Sequence, residues 1–311
     1  MTQRDILGYD SPGTEVDPAS SPRIQRLIHQ DTGLLGDIEH FDLFYRGIMW
    51  CFAEAVERGL DRRSPLLNRT VEAIYEKAGM PDGGFTLQWK PRVSVACRTG
   101  DILRYLIRAG YNDTRISSGI EWILSRQRHD GGWLHCPLAG TCDQLRLVLF
   151  RRSGNGLARE GDTSVTSCFY ATIACAFALC AYRALDPSVA VARAIDSAAE
   201  FFLRRSLFRS SQGTPIRPRD GNRDFRLLGY PVFSQYDILH GLLFIAQAGL
   251  IHDPRCGEAF NIVISKQNPD GTWNMESFAT GMLEGEGRRR ISKSKWVTLK
   301  ALRLLTIAGS S

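Results

Sequence analysis

The sequence predicts an all-α protein built as an α/α barrel, and three observations predict it. One segment pattern recurs along the chain, apolar residues recur every three to four positions, and no run alternates in the way typical of a strand. Amphipathic segments alternate with nearly all-apolar ones, which lie near residues 40–57, 94–110, 163–184, 232–249 and 294–308. About five helical hairpins of this kind would close into a barrel, or toroid, with an inner ring of apolar helices and an outer amphipathic ring.

The recurring segment begins at an aspartate and ends at an aromatic residue. Two strong copies, at residues 113–133 and 253–273, align without a gap and both end in tryptophan. A weaker copy ends at Phe85, and a further helix start at Asp186 has no recognisable ending. Aspartate is a preferred N-cap, and Asp-Gly tetrads stop a helix. Each copy is therefore expected to be a helix that runs into a sharp turn and a second helix.

The residues that end each strong copy have a structural explanation. Gln127 and Gln267 can bond backbone groups that become free at a helix end, and the glycines that follow permit a tight turn. Trp133 and Trp273 can then pack over the junction. We interpret these four residues as markers of the fold rather than as catalytic residues.

The Gln-x-x-Asp-Gly-x-Trp endings at residues 127–133 and 267–273 resemble the QW-type repeats of squalene and hopene cyclases, which are terpene cyclases, and of protein prenyltransferase β subunits. The resemblance extends over residues 40–308 and implies a toroid whose cavity handles isoprenoid chains. Two family motifs are absent: no Asp-x-Asp-Asp acid motif occurs, and Cys168 follows Thr166 where the prenyltransferases have Asp-x-Cys.

Carboxylates at the first turns of the apolar helices are the candidates for the missing acid. Asp237, close to Phe233 and Tyr236, is the strongest, and Asp162 and Asp101 are the others. A carboxyl group in a dry aromatic cavity is favoured in its neutral form, which can donate a proton to an alkene. The alternative interpretation is that each is an N-cap or a salt-bridged aspartate.

Aromatic and basic side chains on the same helices are candidate substrate-binding residues. An aromatic face stabilises a carbocation by about 0.5–2 kcal/mol, although core packing is the alternative explanation. These aromatic candidates are Tyr45, Trp50, Phe169, Tyr170, Phe233, Tyr236 and Trp296. Basic residues ahead of the last helix could bind a diphosphate or simply be solvated, and they are Arg290, Lys293 and Lys295.

The eight cysteines are scattered along a chain too long to need disulfides, so reduced thiols and a cytoplasmic location are expected. Zinc is the one cofactor that the sequence suggests, bound by three cysteines and a histidine from one long loop and the helix after it. The candidate ligands are His135, Cys136, Cys142 and Cys168. Ordinary buried thiols are the alternative.

Charge and composition exclude several classes of protein. The chain has 39 Lys and Arg against 33 Asp and Glu, and the excess does not form a basic arm, so nucleic acid is not expected as a partner. No apolar leader opens the chain, and the uncharged residues 163–182 are interpreted as a buried helix. Residues 1–22 are expected to form a loose arm and residues 23–311 a single domain.

The sequence therefore predicts a terpene-cyclase-like enzyme that performs acid-initiated cyclisation or isomerisation of an isoprenoid or similar hydrophobic molecule. Loading of such a substrate could involve peripheral contact with a membrane. One alternative, favoured by the absent acid motif, is a carrier or scaffold that keeps the toroid without the chemistry. Another is a prenyltransferase β-like subunit, which would need a metal and a second chain.

Overall fold

The structure of the protein is a computed structural model, and it describes residues 17–41, 46–86, 92–134, 163, 165–216, 224–233, 235–277 and 292–309. Ten α-helices occur within these ranges. The sheet found there is one antiparallel pair of two-residue strands, β1 (Asn274–Met275) and β2 (Ser292–Lys293). The described part of the chain is therefore mostly helical, in agreement with the predicted all-α class.

The chain divides into two compact units, residues 1–191 and 192–311. The first contains α1 (Pro22–Gln25), α2 (Ile48–Glu57), α3 (Pro65–Ala78), α4 (Ala96–Arg108), α5 (Thr114–Ser125) and α6 (Phe169–Tyr182). Helix α7 (Val189–Leu203) begins at the end of the first unit, and the second contains α8 (Ile238–Gln247), α9 (Gly257–Ser265) and α10 (Lys295–Gly309). The single domain and the closed ring of helices stay predictions.

Each of the five apolar segments contains a helix, namely α2, α4, α6, α8 or α10. The apolar α6 is buried along most of its length, whereas the amphipathic α3 buries one stripe: Leu67, Thr70, Val71, Ile74 and Ala78. The alternation of apolar and amphipathic helices is thus present. Among the described residues, no helix is both long enough and apolar enough to cross a bilayer.

The copies of the repeat end in one kind of turn, built around a glycine with φ between 81° and 90°. The glycine N–H donates to the carbonyl of the residue three positions earlier. The N–H of that earlier residue donates in turn to the carbonyl of the residue that follows the glycine. The turn glycines are Gly83, Gly131, Gly213 and Gly271. The copy that starts near Asp186 therefore has an ending after all, with Pro215 in the place of the aromatic residue.

The closing tryptophans of the two strong copies have equivalent contacts. Trp133 and Trp273 are fully buried, and their indole N–H groups donate to the carbonyls of Ile123 (2.8 Å) and Val263 (2.7 Å). The Gln127 amide donates to the Gly131 carbonyl at 2.9 Å. Each tryptophan thereby ties the turn to the helix before it.

The same turns are also bonded to the apolar helix that follows. The backbone N–H of the closing aromatic residue donates to a threonine hydroxyl in the first turn of that helix, and its carbonyl accepts from the helix N-cap residue. The aromatic–threonine pairs are Phe85 and Thr99 (2.9 Å), Trp133 and Thr172 (3.1 Å), and Trp273 and Thr298 (2.9 Å). These hydrogen bonds therefore hold the N-cap residues of α4, α6 and α10 in place.

Candidate functional site

The N-cap position of α8 is occupied by Asp237, the leading acid candidate. One carboxyl oxygen accepts from the His240 N–H and the other accepts from the Gly229 N–H, each at 2.8 Å. Asp237 is 3% exposed. The capping role that the sequence offered as an alternative is therefore present, and the carboxyl group also holds the segment at residue 229 against the helix.

The surroundings of Asp237 act on its pKa in opposite directions. Burial raises the pKa, because the charged form loses its water. The N–H bonds from His240 and Gly229 and the positive charge of Lys300 oppose this change, and the pKa remains above its usual value. The neutral acid is thus favoured more than in a solvated aspartate.

Tyr236 is part of the aromatic core next to this acid. Its ring stacks on Phe202, with centroids 5.3 Å apart, and meets the edge of Phe225 at 4.9 Å. Its hydroxyl donates to the Leu207 carbonyl at 2.7 Å. Burial, and then the charge of Asp237, raise the pKa of Tyr236. The hydroxyl of this predicted substrate-binding residue is therefore engaged in a bond of the core.

A second aromatic pair lies between the segment after Gly229 and α10. The rings of Tyr230 and Trp296 are stacked with centroids 5.0 Å apart. The ammonium of Lys300 lies 5.0 Å from the Tyr230 centroid, and that of Lys295 lies 5.6 Å from the Trp296 centroid. Both rings of the pair thus already contact a positive charge of the protein.

Sequence reasoning missed Tyr230, His240 and Lys300. Lys300 is 6% exposed and His240 is 4% exposed. Lys300 belongs to the stripe of α10 that is buried, together with Trp296, Val297, Ala301 and Leu304. A lysine that falls on the apolar stripe of a helix is the signal that could have identified it, since lysine is almost never fully buried without a partner.

Neither of the two other predicted acids belongs to the described part of the second unit, which contains Asp237. Asp101 is buried in α4 of the first unit, and Asp162 lies outside the described residues. Next to Asp101, a Cβ atom on Gly100 would lie only 2.4 Å from the carbonyl carbon of Ala174. Asp101 therefore lies beside the closest approach of α4 to α6.

The remaining substrate-binding candidates differ in burial. Trp50, Phe169 and Phe233 are buried and Tyr170 is half-buried, whereas Tyr45 and Arg290 lie outside the described residues. Lys295 is exposed, as is Lys293, whose ammonium forms an ion pair with the turn residue Asp270. This bond lowers the pKa of Asp270 to about 2. Lys293 therefore has a structural partner in addition to any proposed ligand.

The predicted zinc site falls mostly outside the described part of the chain. His135, Cys136 and Cys142 lie there, and Cys168 is the half-buried N-cap residue of α6. No group of three or more His, Cys, Asp or Glu side chains in the described ranges could hold a metal ion. Zinc binding stays a prediction, which the zinc content of chelator-free protein would test.

Of four other cysteines, Cys51, Cys175 and Cys256 are buried and Cys180 is half-buried. Burial raises the pKa of each thiol, to about 11 for Cys256 and about 12 for Cys51 and Cys180, and well above the usual value for Cys175. Such thiols carry little thiolate at neutral pH and are poor nucleophiles.

No family model matches the chain, and no curated protein matches it. Three solved structures show a distant similarity. A protein from Actinoplanes is 14% identical, with a TM-score of 0.41, over 84% of this chain and 74% of its own. The Lin0763 protein from Listeria innocua is 12% identical, with a TM-score of 0.48, over 85% and 72%.

The third is a variant of the type II terpene cyclase MstE from Scytonema, in complex with its substrate geranylgeranyl dihydroxybenzoate. It is 12% identical, with a TM-score of 0.46, over 93% of this chain and 80% of its own. All three TM-scores are below the level at which a common fold is assigned.

Proposed function

We propose that this protein is an enzyme that acts on an isoprenoid or similar hydrophobic substrate, with Asp237 as the acid that initiates cyclisation or isomerisation. One observation carries the proposal: a carboxyl group whose pKa is raised by burial lies at the start of an apolar helix, next to the aromatic residue Tyr236. The QW-like repeats and their resemblance to terpene cyclases support the choice of substrate class.

The proposed reaction begins with transfer of the Asp237 proton to one carbon of an alkene. The alkene π electrons form the new C–H bond, and the neighbouring carbon becomes a carbocation. Attack by a second alkene can close a ring, which moves the positive charge to another carbon. In either case a water molecule takes a proton from the carbon next to the cationic one, and the C–H electrons form the alkene of the cyclised or isomerised product. The N–H groups of Gly229 and His240 stabilise the carboxylate that remains. The hydronium ion formed from that water returns its proton to Asp237.

The aromatic candidates of the second unit are not equivalent in this proposal. The pair of Tyr230 and Trp296 already contacts the ammonium groups of Lys300 and Lys295, which would repel a carbocation. The ring of Trp296 is therefore less suited to face a cationic intermediate. Phe233, which is buried four residues before the acid, stays a candidate.

The carrier alternative is favoured by a different observation. Both carboxyl oxygens of Asp237 accept hydrogen bonds from backbone N–H groups, as in a helix cap. This structural role would explain the residue without a catalytic function. A carrier would bind the same class of hydrophobic molecule and return it unchanged. The β-subunit alternative depends on zinc and a second chain, and both remain untested.

Substitution of Asp237 separates the enzyme from the carrier. Asp237→Asn would place an amide N–H group against the backbone donor of His240 or Gly229, so we expect it to cost stability. Asp237→Ser keeps one capping oxygen for the His240 N–H and removes the acid. If Asp237 is the acid, turnover of a farnesyl, geranylgeranyl or squalene substrate falls by about 10²–10⁴ in Asp237→Ser, while the variant still folds.

The matched control is Asp253→Ser, because Asp253 is a half-buried aspartate that caps the short helix at residues 254–256 of the same unit. It should retain turnover. Full activity in Asp237→Ser, with loss in Asp101→Asn or Asp162→Asn, would assign the acid to another helix. A bound isoprenoid that no variant converts would favour the carrier.

A further inference from the structure

Lys300 is the buried charge that the proposed chemistry does not yet use. It is 6% exposed, although lysine is rarely so buried unless it is paired. It lies one helical turn after Trp296 on α10, and its ammonium is 5.0 Å from the centre of the Tyr230 ring. Its position is therefore fixed by the stacked pair of Tyr230 and Trp296.

The same aromatic pair links Lys300 to the acid. Tyr230 directly follows Gly229, whose N–H donates to the Asp237 carboxyl group at 2.8 Å. Three segments consequently meet at one place: the N-terminus of α8, residues 229–230, and the buried face of α10 around Lys300. Asp237 and Lys300 are both buried, which strengthens the interaction between the two charges relative to an exposed pair.

We propose that Lys300 is a positioning residue for Asp237: its ammonium, held against Tyr230, is a positive charge that makes the carboxyl group release its proton more readily. This inference rests on the proposed function in one respect, namely that the proton of Asp237 is the one transferred. The electrostatic pairing itself does not depend on the identity of the substrate.

Apart from Lys300, the groups that the structure describes as acting on the Asp237 charge are backbone N–H groups. The backbone N–H groups of Gly229 and His240 contribute dipoles, and Tyr236 stays neutral because burial raises its pKa. Lys300 is the positive charge that acts on Asp237 from α10, and it favours the ionised carboxylate. The acid is thus held between burial, which favours its neutral form, and Lys300, which favours its charged form.

Removing the charge of Lys300 should raise the pKa of Asp237 further. Lys300→Met keeps the apolar stem, Lys300→Gln is a second neutral variant should the first fold poorly, and Lys300→Arg keeps the charge. We expect the pKa of Asp237 to rise measurably in the neutral variants and to stay near the wild-type value in Lys300→Arg. Lys295→Met removes an exposed charge, which water screens, and should leave the pKa of Asp237 unchanged.

The test is a carbon NMR titration of protein labelled at the aspartate carboxyl groups, with Asp237→Ser assigning the signal. A pKa of Asp237 that is the same in wild type, Lys300→Met and Lys300→Gln would overturn the role of Lys300, whatever the activity. The pH–rate profile is the second readout. Since the protonated acid is the active form, a higher pKa would extend activity to higher pH in the neutral variants.

The two proposals fail separately. A raised pKa in the neutral variants, without conversion of any isoprenoid by wild-type protein, would support the pairing of Lys300 with Asp237 and contradict the acid-initiated reaction. Conversion with a pH–rate profile and a pKa that are both insensitive to Lys300 would support the reaction and overturn the positioning role.

Discussion

Replacement of Trp273 by phenylalanine should destabilise the protein through one buried hydrogen bond. Trp273 is fully buried, and its indole N–H donates at 2.7 Å to the carbonyl of Val263, a residue that is 1% exposed. Phenylalanine keeps most of the ring and removes the donor, so this carbonyl keeps only the longer bond from the Lys266 N–H, at 3.3 Å. The loss of one buried hydrogen bond costs about 0.5–1.5 kcal/mol.

Trp273→Ala should cost more, because it also leaves a cavity: about 3–5 kcal/mol for a buried tryptophan. Urea unfolding, followed by circular dichroism, gives the free energy of unfolding of both variants. An unchanged m-value would show that the surface exposed on unfolding is the same as in wild type. Trp133→Phe should cost a similar amount, since its indole N–H bonds Ile123 in the same way at 2.8 Å. The substitution Leu302→Ala, at a side chain that is 43% exposed, is the control.

The reasoning would be refuted if Trp273→Phe and Trp133→Phe both unfolded within about 0.5 kcal/mol of wild type, the usual range for surface substitutions. In that case the tryptophans would not tie the turns to the preceding helices. The repeat would then need another explanation than the stability of its turns.

Two further predictions concern helix contacts and pH. Gly100→Ala should lower the free energy of unfolding by about 1–3 kcal/mol, because its Cβ would lie 2.4 Å from the carbonyl carbon of Ala174. Gly257→Ala is the control, since no atom lies within 4 Å of its Cβ, and it should be neutral or stabilising. Urea unfolding measures both variants. The bond from Lys293 lowers the pKa of Asp270 from 3.8 to about 2, so its contribution is complete above pH 3.8 and is lost as the pH falls toward 2. Asp270→Asn should therefore flatten the dependence of Tm on pH in this interval, and an unchanged slope would contradict the ion pair.

The helices and three of the four turns could be predicted from the sequence because their causes are local. The apolar periodicity of a helix, its capping aspartate and its Asp-Gly turn all depend on residues within one short segment, as at residues 113–133. The turn around Gly213 was missed because Pro215 replaces the aromatic residue and because α7, with 15 residues, is longer than α9, with 9. Its glycine alone was too weak a signal.

The candidate site was predictable only in part, for a physical reason. Asp237 begins an apolar helix, so its capping position and its burial follow from nearby residues. Its relation to Gly229 and Lys300 joins residues that are distant along the chain, and a contact of that kind depends on tertiary packing. The burial of Lys300 could have been predicted, because the sequence places this charged residue within the apolar stripe of α10.

Incorporation of deuterium from D₂O tests the proposed acid function most directly. Wild-type protein is incubated in D₂O with farnesyl, geranylgeranyl or squalene chains, and products are analysed by mass spectrometry and NMR. The proposal predicts a cyclised or isomerised product that carries one deuterium on carbon, delivered by Asp237, and no such product with Asp237→Ser. A product formed without deuterium on carbon, or labelled equally by wild type and Asp237→Ser, would contradict it.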